Sequence, residues 1–121
     1  MRVIRLAASA QADVVQILAW SQTQFGTAAR LRYQALIAAA LRSVAQDPLR
    51  PGSVARPELG DGVRTWHLRL SRDAAGTTGA KVGRPRHFLL YRDTPTLLAV
   101  GRVLHEAMDP LLHIGPGSAW D

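Results

Sequence analysis

The sequence predicts an α+β domain: one strand, two helices folded back on each other, then three strands that complete an antiparallel sheet against the hairpin, in the order β-α-α-β-β-β. Three features of its 121 residues carry that expectation. Apolar side chains recur at helical spacing from Val14 to Trp20 and from Tyr33 to Val44, with Gly26 between the two stretches. Residues 63–71 alternate apolar and polar with period two. Two further apolar runs, 87–92 and 97–105, flank the turn signal Asp93-Thr94-Pro95.

Each element has its own signal. Arg2 to Ala7 reads as a short strand, with Ile4 and Leu6 on one side and two arginines that discourage foreign edge pairing. Ser9 is the expected cap of a helix from Ala10 to Phe25, with Asp13 near the positive end of its dipole and Gly26 as its stop. Thr27 is the expected cap of a second helix, which reaches about Gln46 before Asp47-Pro48 ends it; Tyr33, Leu36, Ile37, Ala40, Leu41 and Val44 form its stripe. The short Gly-Thr link makes the two helices antiparallel neighbours. Residues 48–62 hold three Pro and three Gly without periodicity and read as a surface loop. From Val63 to Ser71 a half-buried strand is expected, with Trp66, Leu68 and Leu70 on one face and Thr65, His67 and Arg69 on the other. Phe88-Leu89-Leu90-Tyr91 is apolar on both sides, which makes 87–92 a central strand. The connection 72–85, with Lys81 and Arg84, is either a contact element ordered on binding or a neutral insertion. No pattern follows Asp109, so 113–121 is expected as a flexible tail of a single domain spanning 1–121.

Composition narrows the function classes. Fifteen Lys and Arg oppose nine Asp and Glu, a net charge of +6, and Lys81 is the sole lysine. Arginine forks onto phosphate or carboxylate with paired hydrogen bonds, so an acidic partner is expected, either nucleic acid or an acidic protein segment. The absence of cysteine excludes a disulfide framework, a thiolate metal site and a cysteine nucleophile, and suits a reducing compartment. Arg5 interrupts the apolar start too early for a secretory leader, and no run approaches the roughly 20 residues of a membrane span. A cytoplasmic protein without membrane contact is expected.

Arg64, Arg69, Arg86, Arg92 and Arg102 fall on expected strands or their ends, where they either gather as a patch on the sheet face away from the helices or scatter as solvated charges. Trp120 lies in a Gly-Pro-Gly tail and is either disordered or an anchor for a partner's pocket. The four histidines lack ligand spacing and a carboxylate cluster, so no metal and no cofactor is expected. His105, beside Asp109, is placed to hold the C-terminal segment by a hydrogen bond.

The succession Phe25-Gly26, Ala28-Ala29, Asp47-Pro48, Leu59-Gly60-Asp61-Gly62-Val63-Arg64, His87-Phe88-Leu89-Leu90-Tyr91-Arg92 and Arg102-Val103-Leu104-His105-Glu106-Ala107-Met108-Asp109 resembles the RelE/ParE toxin superfamily, closest to the ParE type. The resemblance covers about residues 1–112. It implies a type II toxin neutralised by a cognate ParD-like antitoxin of ribbon-helix-helix type, and a toxin that inhibits DNA gyrase, meeting DNA within the gyrase complex, with no catalytic residue. Arg64, Arg69, Arg86, Arg92, Arg102, His105 and Trp120 are then the candidates for target or antitoxin binding.

The RelE branch implies the alternative, a ribosome-dependent mRNA endonuclease built on a basic cluster and a C-terminal Tyr. Here Leu104-His105-Glu106 stands where that branch has Gly-Lys-Arg, and no Tyr follows Tyr91. If the chain were a nuclease, Arg64, Arg86 and His105 would be its catalytic candidates. A third alternative is a chain that has lost toxicity and persists as an antitoxin-binding module.

Overall fold

The computed structural model describes residues 2–75, 82–113 and 120. Its elements are β1 (Val3–Leu6), α1 (Ala8–Phe25), α2 (Thr27–Gln46), β2 (Val54–Ala55), β3 (Val63–His67), β4 (His87–Asp93), β5 (Leu97–His105) and α3 (Pro110–His113). Five strands form one sheet in the order β1-β5-β4-β3-β2. The sheet is mixed: the β2-β3-β4-β5 pairs are antiparallel, but β1 runs parallel to β5, with Val3 opposite Leu97 and Leu6 opposite Val100. The expected all-antiparallel sheet is corrected at this edge. Alternation shows which face of a strand is buried and carries no information on its neighbour's direction.

The hairpin forms as expected, with different caps. Ala7 donates its N–H to Val100 at 2.9 Å, extending the β1–β5 pairing, and accepts from Gln11 at 3.0 Å, so strand passes directly into helix and Ser9 falls inside the first turn. Gly26 ends α1 and also precedes α2, in place of Thr27, with no side-chain cap. Its φ of +91° is the left-handed region that a side chain rarely adopts.

The core lies between the hairpin and one sheet face. Ala10 from α1, Leu36, Ile37, Ala40 and Val44 from α2, and Trp66, Leu89, Tyr91, Leu98, Val100 and Val103 from the sheet form one buried cluster. The alanines let the helices approach closely. β4 is central as expected, and its Leu89, Leu90 and Tyr91 are fully buried.

The expected strand to Ser71 stops at His67 and tightens into a 3-10 turn over Leu68–Ser71. A buried polar relay accounts for the change: Trp66 Nε1 donates to Ser71 Oγ at 2.9 Å, Ser71 Oγ meets Ser43 Oγ at 3.0 Å, and Ser43 donates to the Ala39 carbonyl. Had the strand continued, Ser71 would not reach α2. The turn buries Leu68 and leaves Leu70 exposed, against the expected shared face. Gly52 sits beneath it at φ +101°, where a Cβ would lie 3.0 Å from Leu70 Cδ1 and 3.2 Å from the Trp66 ring. Within the expected loop 48–62, β2 adds a two-residue edge strand and Pro57–Leu59 a 3-10 turn.

β5 is longer than its neighbour β1. Beyond Val100 its outer edge is closed by Asp13 of α1, which accepts from the Val103 N–H at 2.9 Å and from Arg102 Nε and Nη2 at 2.7 and 2.9 Å. Asp13 therefore serves the sheet edge rather than the helix dipole. The hydrogen bond raises the Arg102 guanidinium above its ordinary value. Arg102 also donates to the His113 carbonyl and so ties α3, where no element was expected, to the same point. Of the expected flexible tail, 114–119 and 121 lie outside the described residues, as do 76–81 of the connection.

Asp13→Ala leaves a half-buried guanidinium and a strand N–H without their acceptor. The expected cost is about 2–3 kcal/mol of unfolding free energy. Urea denaturation checks it, and a double-mutant cycle with Arg102→Ala should show strong coupling between the two sites. A loss below about 0.5 kcal/mol would remove Asp13 from this role.

Candidate functional site

The end of the sheet where β4 begins and β5 finishes lies beside the tip of the helical hairpin. His87 opens β4 and His105 closes β5 directly opposite it. A groove of about 600 Å³ lies between them and the hairpin, lined by Ile17, Trp20 and Phe25 of α1, Arg32 and Tyr33 of α2, and Val82, Arg84 and Arg86 ahead of β4. Trp20 and Phe25 meet edge to face at 5.6 Å and remain 56% and 68% exposed. Large aromatics left in water beside a groove mark a surface made to be covered.

The floor of the groove is polar and fixed. Tyr33 Oη lies 2.6 Å from His87 Nδ1 and accepts the Arg86 backbone N–H at 3.2 Å, so the phenol donates to the imidazole. Burial above all, with the electrostatic influence of the nearby His105 and His67 rings, pushes His87 down to about 4; burial pushes the Tyr33 phenol up to about 12. Both groups are neutral at physiological pH, His87 with its proton on Nε2. The His87 and His105 rings meet edge to face at 5.2 Å. His105 accepts the Ala107 N–H at Nδ1, 3.0 Å away, and so holds the turn after β5, while Asp109 caps α3 through the Leu111 N–H.

On the other side of this sheet end, His67 Nδ1 accepts the Arg69 N–H, and its Nε2 donates to Glu106 at 2.7 Å. Arg86 reaches the second Glu106 oxygen at 3.1 Å. Hydrogen bonds from His67 and Arg86 hold the Glu106 carboxyl below its ordinary value.

Of the candidate arginines, this region brings together Arg69 and Arg86. Arg64 shares a register position with Tyr91, four residues along β4 from His87 or about 13 Å, and is held by the Ser53 hydroxyl and carbonyl. Arg102 is taken up by Asp13. Arg92 lies at the far end of β4, with its guanidinium 4.9 Å from the Trp120 ring centroid. Trp120 therefore packs on its own chain. The five arginines are thus divided among separate places, and of the nuclease candidates Arg86 and His105 line one groove while Arg64 stands apart. Trp20, which sequence reasoning took as core or groove-lining, lines the groove, and Tyr33, Phe25 and His87 line it without having been named among the binding candidates. The signal available for Tyr33 was its place at the open end of the helical stripe.

A two-helix hairpin on a small curved sheet, with an uncovered aromatic groove rimmed by arginine, defines a compact protein built to bind a macromolecular partner. Residues 4–110 match the family described as ParE toxin of type II toxin-antitoxin system, parDE. The chain belongs to the ParE toxin family, within the RelE/ParE superfamily, and the family implies a cognate ParD antitoxin as partner. No curated protein matches the chain. Among the described residues no helix is long and apolar enough to cross a membrane, and no three His, Asp or Glu side chains are grouped to hold a metal ion.

The neutral His87 gives stability a pH dependence with a defined sign. Folding lowers its value from 6.5 to about 4, so between these values the unfolded chain binds a proton that the folded chain excludes. This contribution is intact above pH 6.5 and is lost progressively as pH falls toward 4. His87→Gln should flatten the decline of Tm over that window. An identical decline in the variant would show that His87 does not govern it.

Proposed function

We propose that this toxin, acting as one domain over residues 1–121 in the cytoplasm, arrests growth by holding DNA gyrase on DNA and is released by an acidic, amphipathic antitoxin segment that fills the groove at the hairpin tip. The observation that carries the reading is the exposed Trp20–Phe25 pair above a groove whose rim holds Arg32, Arg84 and Arg86. An amphipathic helix presents apolar side chains on one face and carboxylates beside them, which is the complement of this surface. The Arg102 to Asp109 string of the ParE resemblance reaches the same groove through His105. The gyrase target rests on the family resemblance.

A second reading has one structural observation in its favour. Tyr33, Arg86, His87 and His105 line one groove, so groups able to move a proton and to neutralise a phosphate stand together, as mRNA cleavage requires. His87 Nδ1 and the Tyr33 hydroxyl are already bonded to each other, and His87 is held neutral, which suits a structural floor better than a proton shuttle.

Purified toxin should block supercoiling by its cognate gyrase or raise the amount of cleaved complex, and equimolar antitoxin should reverse this. A gyrase unaffected by toxin in excess rejects the target, and codon-phased transcript cleavage during arrest would favour the nuclease. Trp20→Ala should weaken antitoxin binding by about 10- to 100-fold, the loss of roughly 1.4–2.7 kcal/mol seen when a central aromatic anchor is removed. Calorimetry with full-length antitoxin reads this directly, and unchanged affinity would move the antitoxin elsewhere on the surface.

A further inference from the structure

The side of the sheet end opposite the aromatic groove carries a second concavity with different chemistry. A recess of about 510 Å³ is lined by Arg69, Arg72, Arg84 and Arg86, together with His67 and Glu106. It continues into a shallower recess of about 250 Å³ that shares His67, Arg69 and Glu106 and adds Arg56 and Phe88. Arg69, Arg72 and Arg84 are exposed, with no side-chain hydrogen bond or ion pair among the described residues. Glu106 is the one carboxylate among the described residues lining either recess, and its two oxygens are occupied by His67 and Arg86.

We propose that this arginine track is a binding site for the phosphodiester backbone of nucleic acid, which the toxin contacts directly and without gyrase. The track spans two confluent recesses, so it offers a line of positive charge to a ligand that carries negative charge at regular intervals. Its apolar side chains are Leu70 and Pro85 in the larger recess and Val54 and Phe88 in the smaller, with no exposed aromatic pair like Trp20 and Phe25, which stand in the groove on the other side of Arg86. A protein segment needs apolar anchors as well as charge to bind well, whereas a phosphate backbone needs charge and forked donors alone. Among the described residues the guanidinium groups of Arg69, Arg72 and Arg84 have no bond to break before they meet phosphate.

The site is independent of the gyrase reading, and its test contains no gyrase. Fluorescence anisotropy of labelled DNA, duplex in one arm and single-stranded in the other, is measured with the full-length toxin between about 50 and 200 mM salt. Binding is expected to weaken linearly in log–log form as salt rises, and the doubly substituted Arg69→Gln/Arg72→Gln variant, whose two positions lie outside the aromatic groove, should lower the slope by about two and the affinity at low salt by at least about tenfold. Circular dichroism and retained antitoxin affinity report the variant's fold. Trp20→Ala, in the aromatic groove, should leave DNA binding unchanged. The preference between the two arms identifies the form of backbone accepted. Absence of binding at low salt in both arms, undiminished binding by the double variant, or displacement of DNA by polyglutamate at equal charge would each overturn the proposal, the last by assigning the track to an acidic protein.

Discussion

The first strand has four residues and the last has nine, and the rest of the molecule is organised around that mismatch. β1 pairs with β5 only as far as Val100, where the chain leaves the sheet to begin α1. An uncovered β5 edge beyond that point would present unpaired backbone donors to solvent or to another chain. Asp13 closes it, accepting the Val103 N–H as a neighbouring strand's carbonyl would and anchoring Arg102 in the same contact. One carboxylate thereby fixes the orientation of α1 on the sheet. Through Arg102 it also ties down the end of α3.

That orientation places the far end of α1, with Trp20 and Phe25, beside His87 and His105 at the end of the sheet. The groove is therefore a consequence of how the hairpin is tethered at its other end. Its floor is held by two half-buried groups that stabilise each other in neutral form, the Tyr33 phenol donating to the His87 imidazole. A neutral floor under an arginine rim leaves the groove uncharged at depth and cationic at its mouth, an arrangement suited to an amphipathic partner.

Arg86 separates two surfaces of different character. Its backbone supports Tyr33 on the groove side, and its side chain pairs with Glu106 on the other, where His67 completes the triad. One surface combines exposed aromatic area with charge and the other gathers arginines without an exposed aromatic pair. A toxin that must be held by an antitoxin and also engage a target gains from carrying two such surfaces, because each interaction is tuned by its own residues. Their proximity at Arg86 also lets an occupant of one restrict access to the other.

The helical hairpin, the central position of β4 and the three later strands were legible because period and turn chemistry are local properties of the chain. Residues such as Leu36, Val44, Leu89 and Tyr91 announce their burial by spacing alone. The excess of arginine, and the likeness that points to the family, are also written in the residues themselves. What depended on tertiary structure was partner choice. Nothing in the sequence near Asp13 shows that a strand edge about ninety residues away will claim it, nor that Ser71 must turn inward to reach Ser43 and end β3 early. The same holds for the arginines: Arg64 and Arg102 are spent on internal acceptors while Arg69 and Arg86 converge, although all four are equivalent by composition. A period assigns a side chain to a face, but only the packed fold decides which polar group it meets there, because that meeting joins segments whose separation along the chain carries no local signal.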